Sequence, residues 1–197
     1  MAVDVEAFAR DGKREHDGPV LAVGRLVEKK GFDDLIDCAA AGALGGRPLQ
    51  IIGDGPLRGD LEEQVKGSGA LVELIGPLEH GRVADAMRAA SLFALTPRTA
   101  TDGDRDGRPT AIVEAMAAGL PILSTSQPGI PELVTEDCGR LATPGDPGSI
   151  AAAARELLAM PARDLDRMGE SGAARARLLH SPDQVASRLE QLFERSP

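Results

Sequence analysis

Short apolar runs recur along the chain: "PVLAVGR" from Pro19, "PLQIIG" from Pro48, "LVELIG" from Leu71, "LFALTP" from Leu92 and "LPILSTS" from Leu120. Each is followed by a stretch whose apolar positions fall at helical spacing, namely "GFDDLIDCAAAGAL", "PLRGDLEEQV", "RVADAMRAA", "PTAIVEAMAAG" and "IPELV". Val-, Ile- and Leu-rich strands alternating with helices predict parallel βα units buried on both faces, so the expected fold is a doubly wound α/β sheet. A further strand at "GRLATP" from Gly139 brings the sheet to about six strands before "DPGSIAAAARELLAMP" turns the chain helical. The tail from Ala162 is charged and helical, with Val185, Leu189 and Leu192 or Phe193 on one face. That face suits either this domain or a second one.

In open α/β sheets ligands sit outside the carboxyl ends of the strands, which directs attention to the residues after each run. In "VGRLVEKKG", Gly24 admits a close backbone approach, while Arg25 and Lys30 supply a guanidinium fork and a point charge suited to a diphosphate. A solvated basic turn balancing Glu28 is the alternative. "GDGPLRG" from Gly53 fails the dinucleotide fingerprint because its third glycine falls one residue late and Pro56 occupies the turn, at the expected first helical position.

The loop "DGDRDGRPTAIVE" contains Asp102-Gly-Asp104, the D-x-D of many metal-dependent sugar transferases, a very weak signal at this length. It also nearly spells a calcium loop, but Val113 stands at the twelfth position where a bidentate Glu belongs, so no metal is expected. Asp106 and Glu114 bracket a helix expected to start near Pro109. The amides of Gly107 to Thr110 can receive a phosphate between two carboxylates, each able to accept from neighbouring hydroxyls. A molecule with hydroxyls on both sides of a diphosphate fits that bracket. An Asp stabilising the helix dipole and an exposed helical Glu account for the spacing more simply.

The charge balance narrows the partners. The 197 residues carry 31 Asp and Glu against 22 Lys and Arg, a formal charge of −9, which argues against a general nucleic-acid or anionic-membrane binder. Four Phe with no Trp or Tyr leave no broad stacking platform. Cys38 and Cys138 lack metal-ligand spacing and are expected reduced, and His16, His80 and His180 form no set with a nucleophile. Ser124, Thr125 and Ser126 lack the setting of a nucleophile elbow. A polar start and the lack of a long apolar run point to the cytoplasm.

Taken in order and spacing, "VGRLVEKKG", "IIGDGPLR", "IGPLEH", "DGRPTAIVEAMAAGLPILST" and "PGIPELV" resemble the C-terminal half of the family 4 retaining glycosyltransferases, group 1 type. The likeness runs from about Asp4 to the chain end and is nearest to transferases of bacterial exopolysaccharide assembly. It implies one Rossmann-like half of a GT-B fold, in which two such domains face each other across a cleft. The implied organisation is an interdomain lead-in over residues 1–18, containing "VDVEAFAR", a nucleotide-sugar-binding body over 19–180 and a C-terminal helix over 181–197. The acceptor-binding N-terminal domain is then missing, and the chain is expected to be an excised half or an expressed piece whose Met1 was added.

The resemblance further implies that Arg25 and Lys30 neutralise the donor diphosphate and that Glu114 holds the ribose hydroxyls. Leu78 would lie against the base, while Asp106 with Gly107, Arg108, Pro109 and Thr110 would orient the donor sugar and phosphate beside Gly24. Asp106, Arg25 and Lys30 are the candidate catalytic residues. The family carries Glu where this chain has Asp106, one methylene shorter. No cofactor or metal is implied, only a nucleoside-diphosphate sugar. Peripheral contact with the inner face of the membrane stays open for a full-length protein. A non-catalytic nucleotide-binding module and half of a nucleotide-sugar epimerase are the alternatives.

Overall fold

The structure is a computed structural model that describes residues 2–10, 12, 14 and 16–194, with the backbone alone for 188, 189 and 192–194. Six strands, β1 (Val20–Val23), β2 (Leu49–Ile52), β3 (Val72–Gly76), β4 (Leu92–Ala94), β5 (Ile122–Thr125) and β6 (Gly139–Ala142), form one sheet in the order β3-β2-β1-β4-β5-β6. Every pairing is parallel, with Val20 opposite both Leu49 and Leu92. This is the expected doubly wound, Rossmann-like sheet.

Helices cover both faces. Helix α2 (Phe32–Ala40), α3 (Arg58–Ser68) and α6 (Pro147–Ala159) form one layer, and α1 (Val5–Phe8), α4 (His80–Ala89), α5 (Thr110–Ala117) and α7 (Ala162–His180) form the other. Burial on both faces explains the unbroken apolar strands: Leu21, Leu49, Phe93, Ile122 and Leu123 are all closed to solvent. Each such side chain contributes about 1.5–3 kcal/mol relative to exposure. Helix α5 is apolar nearly all round, burying Ala111, Ile112, Val113, Ala115, Met116 and Ala117, because α1 and α7 enclose its outer side. Its neighbours approach closely through small residues; a Cβ on Gly169 of α7 would stand 2.1 Å from the carbonyl of Gly119.

The polar lead-in carries its own anchor. Asp4 caps α1 through the amide of Ala7, while Val3, Val5 and Phe8 are buried. Arg88 of α4 donates to the carbonyls of Ala7 and Ala9, at 2.6 and 3.2 Å. At the other end α8 (Pro182–Glu194) packs on α7. Val185 there is half-buried, whereas Leu189, Leu192 and Phe193 of its expected apolar face, like Met1, lie outside the described side chains.

Two expectations about local structure are corrected. "IPELV" is a series of turns, with Ile130, Leu133 and Val134 closing short hydrogen bonds, because Pro128 and Pro131 remove donors and fix φ while Gly129, at φ 94°, leaves the right-handed helical region where a helix would nucleate. Pro56 lies in the turn ahead of α3, which begins at Arg58.

Arg98, just after β4, ties that strand's loop to α2. Its guanidinium reaches Asp33 and Asp34, each at 2.7 Å. Burial pushes the Asp34 carboxyl up, against the pull of Arg98, so the guanidinium keeps a desolvated anion compensated. Replacing Arg98 by Ala is expected to lower the unfolding free energy in urea by about 2–3 kcal/mol. Arg98→Lys should recover only part of this, because an ammonium cannot fork to two carboxylates. An Arg98→Ala protein as stable as wild type would contradict the assignment.

Candidate functional site

The crossovers leave β1 and β4 in opposite directions, so the carboxyl ends of these neighbours open a crevice. Gly24 follows β1 there, and a Cβ at that position would lie 3.3 Å from the Phe32 ring and 3.4 Å from Cε of Lys30. The Lys30 side chain therefore lies along a bare stretch of backbone. Glu28–Lys30 make one 3-10 turn, closed by Gly31 at φ 64°, where a Cβ would collide with the Thr96 carbonyl at 2.1 Å.

This turn grips the acidic loop. Glu28 accepts hydrogen bonds from the amide and hydroxyl of Thr101 at 3.1 and 2.9 Å. Lys29 Nζ stands 2.9 Å from Asp104 and 3.6 Å from Asp106, while Lys30 Nζ lies against the other oxygen of Asp106. The hydrogen bond between Lys29 and Asp104 raises the amine's pKa and lowers the carboxyl's. Asp102 serves only the turn, accepting from the amide of Asp104 at 2.9 Å. The D-x-D carboxylates are thus both engaged, Asp102 by its own turn and Asp104 by Lys29. Arg25 is exposed and has no side-chain partner among the described residues.

Beyond Asp106 the chain enters α5. Pro109 is the N-cap, with φ −64° and ψ 122°, rather than the first helical residue, and as a proline it offers no amide. The donors facing the crevice are therefore the amides of Gly107, Arg108 and Thr110, all exposed and giving no hydrogen bond among the described residues. Gly129, at φ 94°, backs this turn so tightly that a Cβ would meet the carbonyl of Gly107 at 2.0 Å. Arg108 is ion-paired with Glu132.

One turn further into α5, Glu114 is half-buried and its carboxylate takes no hydrogen bond among the described residues. Burial raises its pKa, with His80 pulling the other way. His80 opens α4 two residues after Leu78 and stands edge-on to Phe8, ring centres 4.8 Å apart. Leu78 is half-buried against the core. Two groups result: cations, Asp106 and free amides at the strand ends, and a second set of Leu78, His80 and Glu114.

A cavity of about 590 Å³ opens elsewhere, at the amino-terminal edge of the sheet beside Gly119. Three of its lining side chains serve one another: Arg14 and His16 both approach Asp166, at 3.3 and 3.5 Å. Among the described residues no group of three or more His, Cys, Asp or Glu is placed to hold a metal ion.

The family described as "Glycosyl transferases group 1" matches residues 18–160. The chain belongs to the group 1 glycosyl transferases. It is 38% identical over 168 residues to the amylovoran biosynthesis glycosyltransferase AmsK of Erwinia amylovora, covering 81% of this chain and 40% of that protein. It is 34% identical over 164 residues to the colanic acid biosynthesis glycosyltransferase WcaL of Salmonella typhimurium, a putative assignment in that protein's own name, covering 80% and 40%. The chain thus spans less than half the length of these curated relatives. Among solved structures, it superposes on Anabaena Alr3699/HepE in complex with UDP and glucose with a TM-score of 0.83 at 20% identity, covering 99% of this chain and 55% of that one. That likeness shares the GT-B type of Rossmann domain.

Several roles at this group 1 domain's site were not readable from the sequence. Lys29, Glu28, Thr101 and Asp104 become legible only when the two loops meet. His80 is exposed, as expected of a surface residue, and its influence on Glu114 comes from the fold. The contact of Gly129 with Gly107 is likewise a property of the fold.

Because burial raises the Glu114 pKa above its unfolded value, the native state holds that proton more tightly and stability falls as pH rises through the interval. Glu114→Gln is expected to raise the thermal midpoint at pH 7 by about 1–3 °C, a gain of under about 1 kcal/mol because the carboxylate keeps some water. The difference should close below about pH 4. A variant less stable than wild type at pH 7 would contradict this account.

Proposed function

We propose that this chain is the nucleotide-sugar-binding half of a family 4 retaining glycosyltransferase. The complete enzyme would move a hexose from a nucleoside-diphosphate sugar to an acceptor, in exopolysaccharide or glycolipid synthesis. The observation that carries the reading is the crevice between β1 and β4, where Lys30, lying along Gly24, meets Asp106 beside amides that give no hydrogen bond among the described residues, with Arg25 exposed after β1 and Glu114 one turn into α5. The names of AmsK and WcaL support the polysaccharide context.

In this reading the diphosphate lies over Gly24, its charge met by Arg25, Lys30 and the amides of Gly107, Arg108 and Thr110. Glu114, desolvated and without a hydrogen-bond partner among the described residues, takes the ribose hydroxyls, with the base along Leu78 and the sugar toward Asp106. As the bond to the anomeric carbon lengthens, charge gathers on the leaving diphosphate, and cations fixed beside it stabilise that state more than the ground state. Arg25, Lys30 and Asp106 are the proposed catalytic residues, and no metal is required for these roles. Acceptor and the remaining groups come from an N-terminal domain, so this chain alone should bind and turn over little. The reading carries a cytoplasmic location, at the inner membrane face when the acceptor is a lipid. Among the described residues no helix is long and apolar enough to cross a membrane.

Calorimetric titration with UDP, GDP, ADP and their sugars, with chelator present, tests this directly. One nucleotide should bind saturably, and Arg25→Ala should weaken it about tenfold or more. Absence of binding to every nucleotide, or binding indifferent to Arg25, would sink the proposal.

A further inference from the structure

The donor-site reading leaves unexplained why the cation meant for a diphosphate is already paired. Lys30 Nζ lies against one oxygen of Asp106, and Lys29 Nζ stands 3.6 Å from the other. The Lys30 and Asp106 side chains are only 14% and 15% exposed, so water screens their charges poorly. An anion arriving at Lys30 must share it with a carboxylate that the fold keeps in place. Lys29 is itself divided between Asp104 and Asp106, whereas the exposed Arg25 and Arg105 have no side-chain partner among the described residues.

Resting on the donor-site reading, we propose that Asp106 is a specificity-determining residue that separates the sugar-bearing nucleotide from the bare nucleoside diphosphate left after transfer. The two ligands differ in charge and in hydrogen-bond sense at the point nearest Asp106. In the sugar nucleotide each phosphate carries one negative charge, and hydroxyls follow the second phosphate. Those hydroxyls donate, and a carboxylate accepts from two at once. In the bare diphosphate the terminal phosphate carries close to two charges at neutral pH, its second pKa being about 6. It offers acceptors only. Asp106 then faces an anion with no proton to share, while competing with it for Lys30. The same carboxylate favours the donor and disfavours the product, which promotes product release.

The test is calorimetric titration of the whole chain with each bare nucleoside diphosphate and its sugar nucleotide, for wild type, Asp106→Asn, Asp106→Ser and Asp106→Glu, each first checked by thermal melting. The neutral variants should bind the bare diphosphate about tenfold more tightly, while the sugar nucleotide gains nothing or weakens. Asp106→Glu keeps the charge and should retain the wild-type preference. Equal weakening of both ligands in the neutral variants would mean that Asp106 merely holds Lys30, and would overturn the inference. An unchanged ratio of the two affinities would do the same. Should wild type and variants alike bind no nucleotide, the donor-site reading itself fails and takes this inference with it. A wild type that binds nucleotide with an Asp106-independent ratio overturns the inference alone.

Discussion

Three consecutive charged residues, Glu28, Lys29 and Lys30, fasten the loop after β1 to the acidic loop after β4, and the candidate site exists only where those loops meet. The turn carrying them is held by Gly31, whose backbone sits against Thr96 at a separation that no side chain permits. The acidic loop is fixed from its other flank as well: Arg98 reaches α2, and Gln127 Nε2 bonds the Thr99 hydroxyl at 2.8 Å. Asp106 therefore arrives at Lys30 from a loop anchored along its length. Preorganisation of this kind spares a ligand the entropy of ordering two loops.

The sheet supplies the rest of the geometry. With order β3-β2-β1-β4-β5-β6, the loops after β1 and β4 border the place where the winding reverses, and the amino end of α5 points into it. Free amides, a partial positive helix end, an exposed Arg25 and a half-buried Glu114 then line one path from strand ends to helix flank. Glu114 illustrates the tension in such a site: burial that costs stability in the free protein is what leaves its carboxylate without a competing partner.

Much of this was legible in the sequence because it follows from period and residue type. Strands buried on both faces, such as β4, must be apolar and were visible as runs, and β2, β3, β5 and β6 remained visible although they carry Gln50, Glu73, Ser124 and Arg140. Helices with strong apolar spacing, such as Phe32–Ala40 and Pro147–Ala159, were equally plain. The stretch at "IPELV" misled because its apolar spacing is helical while its prolines and glycine govern the backbone. Around the site, residue types suggested anion binding, but no spacing rule could say that Lys30 would meet Asp106, some 76 residues away, or that Gly129 would close on Gly107. Long-range pairs and close backbone approaches belong to the assembled fold. Even the choice between a solvated basic turn and a diphosphate clamp looks different once the turn is seen to hold a loop.

The central claim is spatial: a nucleotide sugar binds in the crevice between β1 and β4. Backbone amide spectra of the labelled chain, recorded during titration with nucleotide sugar, test it most directly. The account predicts shifts concentrated at Gly24, Arg25 and Lys30, at Gly107, Arg108 and Thr110, and at Glu114, with Gly119 and Asp166 at the opposite edge unmoved. Shifts centred on the cavity beside Gly119 and Asp166, with the strand-end residues silent, would contradict it.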